Sequence, residues 1–462
     1  MYHFKFDRRW WVMINVGIGI YMSTLAASVV NISRPTITQA LHTDLKMVAW
    51  VVTAYLTVIT GCLLLMGGLA DHFGQRKVYL LGFTIFTVGS LFCGLSPGIR
   101  FLIGSRMIQG LGAAALMVNG TAIVTRIFPE KDRGQALGII GSIVSIGFLT
   151  GPLIGGFMVE QFGWRSIFFI NVPIGLVGIF FALETLEKDR PSRKAQLDLW
   201  GALFLFVFIT ALLIFLNQRN GDSSHPPWPW LLVCLLSLSL FIVIERRFPF
   251  PLVDLRLFKR GFFVSSLAVA VLAFCMSGAH ALVIPFFLQG ILKFPPSKVG
   301  MLLFPVSVSV MVVAPLGGRI SDRIGTRLPT VVGLLLISLT IFSFSFFRQP
   351  IGDWEIIWRQ VVIGVGIALF NPANNSAIIG SLPREQVGLA SSFLPLARNF
   401  GMVVGVALAE TVVSLKSTMV IVEAGTGIPT LEAIQGVWRV VAVIGVMAGL
   451  LAWTQGKQAE KR

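Results

Sequence analysis

A few ionisable and polar residues interrupt long apolar stretches of this sequence, and these residues are the ones able to do chemistry. Arg106 lies within one such stretch, and Gln109 follows three residues later, on the same face of a helix. An arginine at the centre of a bilayer costs about 2.5–3.5 kcal/mol on insertion scales, so we expect Arg106 to face protein or water. Arg398 is similarly placed in a second stretch, LARNFGMVVGVA.

Candidate proton carriers are few. His280, within CMSGAHALVIPFF, is the only histidine well inside an apolar stretch, and an imidazole titrates near neutral pH. A lone histidine in a packed helix is more often structural, so both interpretations stay open. Asp71 and Glu410 are rival carriers. Four polar residues are candidates to line a substrate pathway, namely Asn31, Arg34, Asn371 and Arg398.

The composition indicates a polytopic membrane protein. Hydrophobic residues make up 55% of the 462 residues and charged residues only 13%, whereas soluble proteins carry roughly 25% charged residues. The net charge of +16 does not indicate nucleic-acid binding, because the basic residues are dispersed in short loops between apolar segments. The four cysteines all lie in apolar segments and are predicted to be small buried hydrophobes, neither metal ligands nor disulfides.

The apolar pattern predicts an all-α fold with fourteen transmembrane helices, each near the roughly 20 residues that a bilayer requires. An even number places both termini on one side, and the loops on that side hold most of the basic residues, so it is predicted to be cytoplasmic. The predicted segments are 11–33, 48–69, 79–96, 99–125, 136–158, 167–185, 199–217, 228–245, 262–289, 299–318, 328–347, 355–380, 388–414 and 436–454.

The sequence also contains an internal repeat. The segment GGLADHFGQRK (67–77) is echoed by GRISDRIGTR (318–327), and a weaker echo links Gly110 and Gly112 with Gly364 and Gly366. Repeated halves around a central pathway are typical of secondary transporters. We therefore predict a six-helix bundle over 1–190, two additional helices with linkers over 191–258, and a second six-helix bundle over 259–462.

One uncharged stretch, GIIGSIVSIGFLTGPLIGG (138–156), has a regular glycine pattern. Gly147, Gly151 and Gly155 recur every four residues and form a small-residue stripe on one helix face. Gly138 lies on the opposite face with Gly134 and Gly141, so neighbouring helices are expected to approach closely on both sides. Pro152 removes a backbone donor and is expected to bend the helix; Gly156 completes the pattern.

These motifs together give the chain a family resemblance over nearly its whole length. It resembles the fourteen-helix drug:proton antiporter family of the major facilitator superfamily, the quaternary-ammonium-resistance type. The stretch 138–156 is similar to that family's antiporter motif, 67–77 to the superfamily's loop signature, LIGSRMIQGLGAA (102–114) to its fourth-helix motif, and WRSIFFINVPIG (164–175) to a segment of the fourteen-helix branch.

The resemblance implies roles for particular residues. It implies that Arg106 takes part in proton transfer, although a purely structural arginine is the alternative. It also implies a cytoplasmic latch between the two bundles that breaks when the transporter changes state, the alternative being a static topology anchor. The implied latch residues are Gly67, Asp71, Gly74, Arg76, Lys77, Asp322, Arg323 and Gly325.

The chain departs from this family in its first helix. Where the family usually has an aspartate, this sequence has Ala26, and Arg34 stands where a leucine is usual. With Arg106 and Arg398, Arg34 would give the cavity a positive potential. The departure suggests anionic or neutral substrates in preference to lipophilic cations.

The sequence predicts a gradient-driven transporter and not an enzyme. It contains no phosphate-binding Gly-Lys-Ser/Thr loop, no nucleophile elbow and no metal-ligand spacing, so no cofactor is expected. The first hypothesis is a proton-coupled exporter of drugs or other amphipathic compounds in the cell inner membrane, working as a monomer, with periplasmic accessory proteins left open. The second is a transporter of a specific anionic metabolite with weak or no proton coupling. The third is a non-transporting receptor or scaffold, which would predict an appended soluble domain.

Overall fold

All the described secondary structure is helical. The computed structural model describes residues 7–129, 133–187, 198–218, 228–248, 255–347, 351–382, 387–417 and 429–459. Within these ranges every one of the fourteen predicted segments falls on a helix. The chain divides into two compact units: the first contains most of α1 and α2 and all of α3–α7, the second contains α10–α15, and α8 and α9 are each divided between them.

The first nine helices cover the N-terminal half of the chain and lie mainly in the first unit. Their bounds are α1 Arg8–Ala40, α2 Leu45–Phe73, α3 Gln75–Gly94, α4 Ile99–Ile127, α5 Arg133–Phe162, the single turn α6 Ser166–Phe169, α7 Asn171–Thr185, α8 Leu199–Gln218 and α9 Trp228–Arg247.

The part of the second unit that follows α9 starts with a short 3-10 turn, Leu255–Lys259, and continues with six long helices. Their bounds are α10 Gly261–Pro285, α11 Pro296–Ile324, α12 Arg327–Phe344, α13 Asp353–Gly380, α14 Val387–Ser417 and α15 Leu431–Ala459. A π-helical turn, Phe286–Ile291, continues α10 beyond Pro285.

Twelve helices among the described residues are long and apolar enough to cross a membrane. Two further apolar segments, Met47–Leu63 in α2 and Trp200–Leu212 in α8, are shorter. Large apolar side chains such as Trp200, Leu232 and Leu339 are well exposed, as expected of helices whose outer faces contact lipid. The structure therefore supports an all-helical membrane fold with about twelve spans, and the count of fourteen remains a prediction.

Glycines bring equivalent helices together in the two halves of the chain. In the first unit, a methyl group added at Gly112 of α4 would lie 2.7 Å from the carbonyl oxygen of Gly82 in α3. In the second, a methyl group at Gly366 of α13 would lie 2.8 Å from the carbonyl oxygen of Gly333 in α12. Gly112 and Gly366 belong to the weak sequence echo, which thus corresponds to one helix crossing used twice.

The loop that carries the stronger repeat also has matching geometry. Gly74 directly follows α2 with a φ of 107°, and Gly325 directly follows α11 with a φ of 85°. Both values lie in a region of backbone space that favours glycine. The arginine two residues after each glycine contacts a later helix of its own unit, α7 in the first unit and α15 in the second. Arg76 Nη2 donates to the carbonyl oxygen of Leu183 in α7 at 2.7 Å, and the Arg327 guanidinium lies 4.0 Å from the ring centroid of Trp453 in α15.

The α3–α4 crossing predicts a sharp difference between two glycines of α4. Gly112→Ala should lower the unfolding free energy by about 1–3 kcal/mol, because its methyl group would overlap the backbone of α3. Gly104→Ala is the matched control, since a methyl group there would meet nothing within 4 Å and alanine favours a helix. The measurement is the thermal unfolding midpoint of the purified protein in detergent. Equal midpoints for the two variants would contradict the crossing.

Candidate functional site

Arg106 is the centre of a buried polar network in the first unit. Its side chain is fully buried in α4. Nε donates to the carbonyl oxygen of Val51 in α2 at 2.9 Å, and Nη2 donates to that of Ala26 in α1 at 3.1 Å. Nη1 donates to Oε1 of Gln109, whose Nε2 donates to Ser90 Oγ in α3 at 2.6 Å. The predicted Arg106–Gln109 pair therefore exists, and it joins four helices at one point.

Aromatic rings complete the surroundings of this guanidinium. Its carbon lies 3.9 Å from the ring centroid of Tyr55 in α2 and 5.8 Å from that of Phe168 in α6. The Tyr55 hydroxyl donates to the carbonyl oxygen of Ser23 at 2.7 Å. A cation above an aromatic face is attracted by the ring quadrupole, more strongly where water is excluded. The sequence does not single out Tyr55, Phe168 or Ser90, because nothing in their spacing distinguishes them from lipid-facing or packing residues.

None of the groups that hydrogen-bond to Arg106 among the described residues is a carboxylate. The guanidinium is held by two backbone carbonyls, one side-chain amide and a tyrosine ring. The carbonyl of Ala26 is one of them, so the position where the resembling family has an aspartate does contact Arg106, through its backbone. The network therefore solvates a positive charge with neutral dipoles and leaves the charge itself unneutralised.

The glycine stripe of α5 packs against α1. A methyl group added at Gly147 would overlap Thr24 Oγ1, and one at Gly151 would overlap Ser28 Oγ. A methyl group at Gly155 would lie 2.9 Å from the carbonyl oxygen of Val29. Ser28 Oγ also donates to the carbonyl oxygen of Gly147 at 3.0 Å. The two backbones approach this closely because neither side of the contact carries a large side chain.

On the opposite face of α5, Gly141 does not make the close helix contact that the glycine pattern predicts. Gly141 is exposed, and a methyl group added there would meet no heavy atom within 4 Å. The surroundings of Gly138 lie outside the described residues. Helix α5 runs without interruption through Pro152, and Gly156 is buried.

The structure does not gather the other pathway candidates around Arg106. Arg34 is buried and Asn31 is half-buried in α1, but neither is hydrogen-bonded to Arg106. Asn371 in α13 and Arg398 in α14 are half-buried in the second unit, where Glu410 of α14 is buried.

His280 lies in an aromatic cluster of the second unit. Its ring centroid is 5.4 Å from that of Phe344 in α12 and 6.4 Å from that of Trp438 in α15. Phe287 and Phe347 stack at 5.6 Å within the same cluster. Neither ring nitrogen of His280 has a hydrogen-bond partner among the described residues. This environment favours a neutral packing role over a proton carrier, because no acceptor is placed to receive a proton.

The predicted latch residues occupy the ends of α2 and α11 and the starts of the helices that follow. Gly67 is half-buried, and a methyl group there would lie 3.2 Å from Val118 Cγ1. Lys77, Asp322 and Arg323 are exposed, whereas the side chain of Asp71 lies outside the described residues.

A pattern in the sequence of α1 indicates its contact with α5. Thr24 and Ser28 are small residues four apart, so they form a stripe on α1 that matches the stripe of α5. Pairing the two stripes would have identified the partner of α5.

The contact between α1 and α5 predicts a rescue. Gly147→Ala should lower both the unfolding midpoint and the transport rate, because its methyl group would overlap the Thr24 hydroxyl. Thr24→Ala in the same chain removes that hydroxyl and should restore part of both. Gly141→Ala is the control on the exposed face. If the double variant is no better than Gly147→Ala in thermal unfolding and flux assays, the contact is wrong.

The Arg106 network predicts that lysine cannot replace this arginine. Arg106→Lys keeps the charge but cannot donate in three directions from a planar group, so buried acceptors lose partners at about 1–3 kcal/mol. We expect a lower unfolding midpoint and slower transport. Arg100→Lys, at an exposed position of the same helix, should behave as the unmodified protein. Unchanged stability and flux in Arg106→Lys would show that the network is dispensable.

Several proteins of known name resemble this chain over most of its length. The chain is 32% identical over 401 residues to the riboflavin transporter RibZ of Clostridioides difficile (strain 630), covering 87% of each protein. It is 33% identical over 405 residues to the multidrug resistance protein Stp of Mycobacterium tuberculosis (strain CDC 1551 / Oshkosh), covering 87% of this chain and 75% of that protein.

A solved structure shares the fold. The crystal structure of the peptide transporter POT in complex with sulfate superposes with a TM-score of 0.70 at 12% identity, covering 97% of this chain and 94% of the other. At that identity the likeness concerns the fold alone.

A family model extends this likeness to the sequence of both halves. The model of the Major Facilitator Superfamily matches residues 16–406 and, in a second match, residues 266–461. Together with the apolar helices and the relatives above, this match shows what kind of protein the chain is. The chain belongs to the major facilitator superfamily and is a multi-pass membrane transporter of small molecules.

Proposed function

We propose that this transporter exports drugs or other amphipathic organic molecules across the cell inner membrane by alternating access, with proton entry driving export. Both termini lie in the cytoplasm in this proposal, because the loops on their side hold most of the basic residues. A proton entering across the membrane contributes roughly 2.3 kcal/mol per 100 mV. This energy is available to a transporter without an ATP-binding loop.

The observation that carries the proposal is the α1–α5 contact. The glycines that form it, Gly147, Gly151 and Gly155, are those of the stretch that resembles the antiporter motif. The similarity to a multidrug resistance protein supports the same conclusion. A closely packed pair of helices resists leakage of ions between them, and an antiporter needs this property if it is to conserve its gradient.

A second candidate function is transport of a specific anionic or neutral metabolite. The buried charge of Arg106, held by carbonyls and an amide, favours it, because none of the described residues that hydrogen-bond to Arg106 offers a carboxylate. Position 26, where the resembling family has an aspartate, is an alanine here. A riboflavin transporter among the relatives also supports a specific organic substrate. Cationic drugs would have to find their counter-charge elsewhere.

For proton coupling we assign the carrier role to Glu410 in preference to His280. A buried carboxylate binds and releases a proton as its surroundings change, whereas His280 lies among aromatic rings. Arg106 stays charged; with Gln109 it would act on the proton step by electrostatics.

The conformational change of alternating access would use the two repeated loops, 67–77 and 318–327. We propose that Asp71 and its repeat equivalent Asp322, with Arg323 and Lys77, form a cytoplasmic latch. Arg76 instead anchors α3 to the end of α7, since its guanidinium binds the carbonyl of Leu183. In this proposal α8 and α9 (within 191–258) are the two extra spans of a fourteen-helix transporter.

Purified protein in proteoliposomes tests the proposal. Riboflavin and a panel of fluorescent organic cations and anions would be followed with and without an imposed pH gradient. We expect at least one amphipathic substrate to accumulate against its own gradient when the pH gradient is present, and a protonophore to abolish this accumulation. Glu410→Gln should remove the dependence on the gradient, whereas His280→Phe should retain it.

Other results would overturn parts of this proposal. Equal flux with and without the gradient would favour a facilitator of a specific metabolite. Loss of gradient dependence in His280→Phe, with Glu410→Gln unchanged, would exchange the roles of the two residues. Counterflow of no compound in the panel would argue against drug export.

A further inference from the structure

A basic cavity lies at one end of the first unit, away from the Arg106 network. It has a volume of about 260 Å³ and is lined by residues from the start of α1, the start of α3, the end of α4 and the segment after α7. Four arginines line it, and Glu187 is the single acidic residue among the described lining groups. The arginines are Arg8, Arg9, Arg76 and Arg126.

Two of these arginines are fixed by the end of α7. Arg8 Nη2 and Nε donate to the carbonyl oxygen of Thr185 at 3.0 and 3.2 Å, and Arg8 Nη1 bonds to Glu187 at 2.7 Å. Arg76 Nη2 donates to the carbonyl oxygen of Leu183. These bonds satisfy carbonyls at a helix C-terminus and hold both guanidinium groups in place before any ligand arrives.

Arginines outnumber acids among the described residues that line the cavity. Arg9 is paired with Asp7, and this pairing holds the pKa of Asp7 below its ordinary value, so Asp7 stays ionised at neutral pH. Arg8 is paired with Glu187. Arg126, exposed in the last turn of α4, brings a further guanidinium to the same cavity.

Apolar side chains form the rest of the wall. Ile123 and Ile127 of α4 and Leu186 line the same cavity. Nearby, Trp10 in the first turn of α1 packs edge-on against Phe128 at a centroid distance of 5.7 Å. Tryptophan is enriched where helices leave the hydrocarbon region. The cavity therefore presents cationic and apolar surfaces side by side.

We propose that this cavity binds the phosphodiester headgroup of an anionic membrane lipid, with its first acyl carbons against Ile123, Ile127 and Leu186. The proposal rests on the orientation given above, in which this end faces the cytoplasmic leaflet. A free phosphate would gain from the arginines but not from the apolar wall. Bound lipid would tie the ends of α1, α4 and α7 together.

Native mass spectrometry of the full-length protein tests this site. Phosphatidylglycerol would be titrated into detergent-solubilised protein, with phosphatidylcholine as the neutral comparison. Arg9→Gln with Arg126→Gln should weaken phosphatidylglycerol binding about tenfold or more, because each basic residue near an anionic lipid contributes to binding. Arg256→Gln with Lys259→Gln, which removes two exposed charges from the second unit, should change binding less than twofold.

Two other results would contradict the lipid site, and a third would assign it to a different ligand. Equal phosphatidylglycerol binding by the two double variants, or equal binding of phosphatidylcholine by the unmodified protein, would overturn it. Displacement of the lipid by millimolar sn-glycerol 3-phosphate or inorganic phosphate would assign the cavity to free anions instead. An unfolding midpoint measured without lipid establishes that the variants fold. Because binding is measured without transport, selective lipid loss would support the site even if the export proposal failed.

Discussion

Close approach of helix backbones at glycines underlies the arrangement of both units. In a bilayer, packing between helices depends on van der Waals contact and hydrogen bonds, because the lipid chains are as apolar as the side chains they replace. Helix α5 meets α1 through Gly147 and Gly151, and α14 meets α10 in the same manner: a methyl group at Gly401 would lie 2.5 Å from the Val271 carbonyl oxygen. The fold repeats its contacts even where the sequence repeat has faded.

The buried arginine depends on this packing. Arg106 reaches carbonyls on α1 and α2 because α4 lies close to both. Glycine allows the approach to α2, since a methyl group at Gly110 would lie 2.8 Å from the Tyr55 carbonyl oxygen. A charge surrounded by dipoles and a tyrosine face is stabilised without an acid. The same network connects α1, α2, α3 and α4 to one guanidinium.

Hydropathy predicted the helices well, because spanning a bilayer imposes length and apolarity on each segment. The Arg106–Gln109 pair was also predictable, since spacing of three on a helix places the two side chains together. Tyr55 and Phe168 were not, because aromatic residues are common on lipid-facing surfaces and only the tertiary fold selects these two. Likewise, the stripe of α5 was visible in the sequence, but which of its faces would be covered was not: Gly141 fits the pattern and is exposed.

The positions of the four cysteines have a practical consequence for spectroscopy. Cys93, Cys234 and Cys275 are buried, Cys62 is half-buried, and none forms a disulfide. Water-soluble maleimides reach buried thiols slowly. We therefore expect the native cysteines to react slowly with such reagents, so that a thiol introduced on an exposed loop would take a spin label or fluorophore preferentially. Cys93, which contacts Gln109, need not be removed, so distances between labelled sites would report on the unmodified interior.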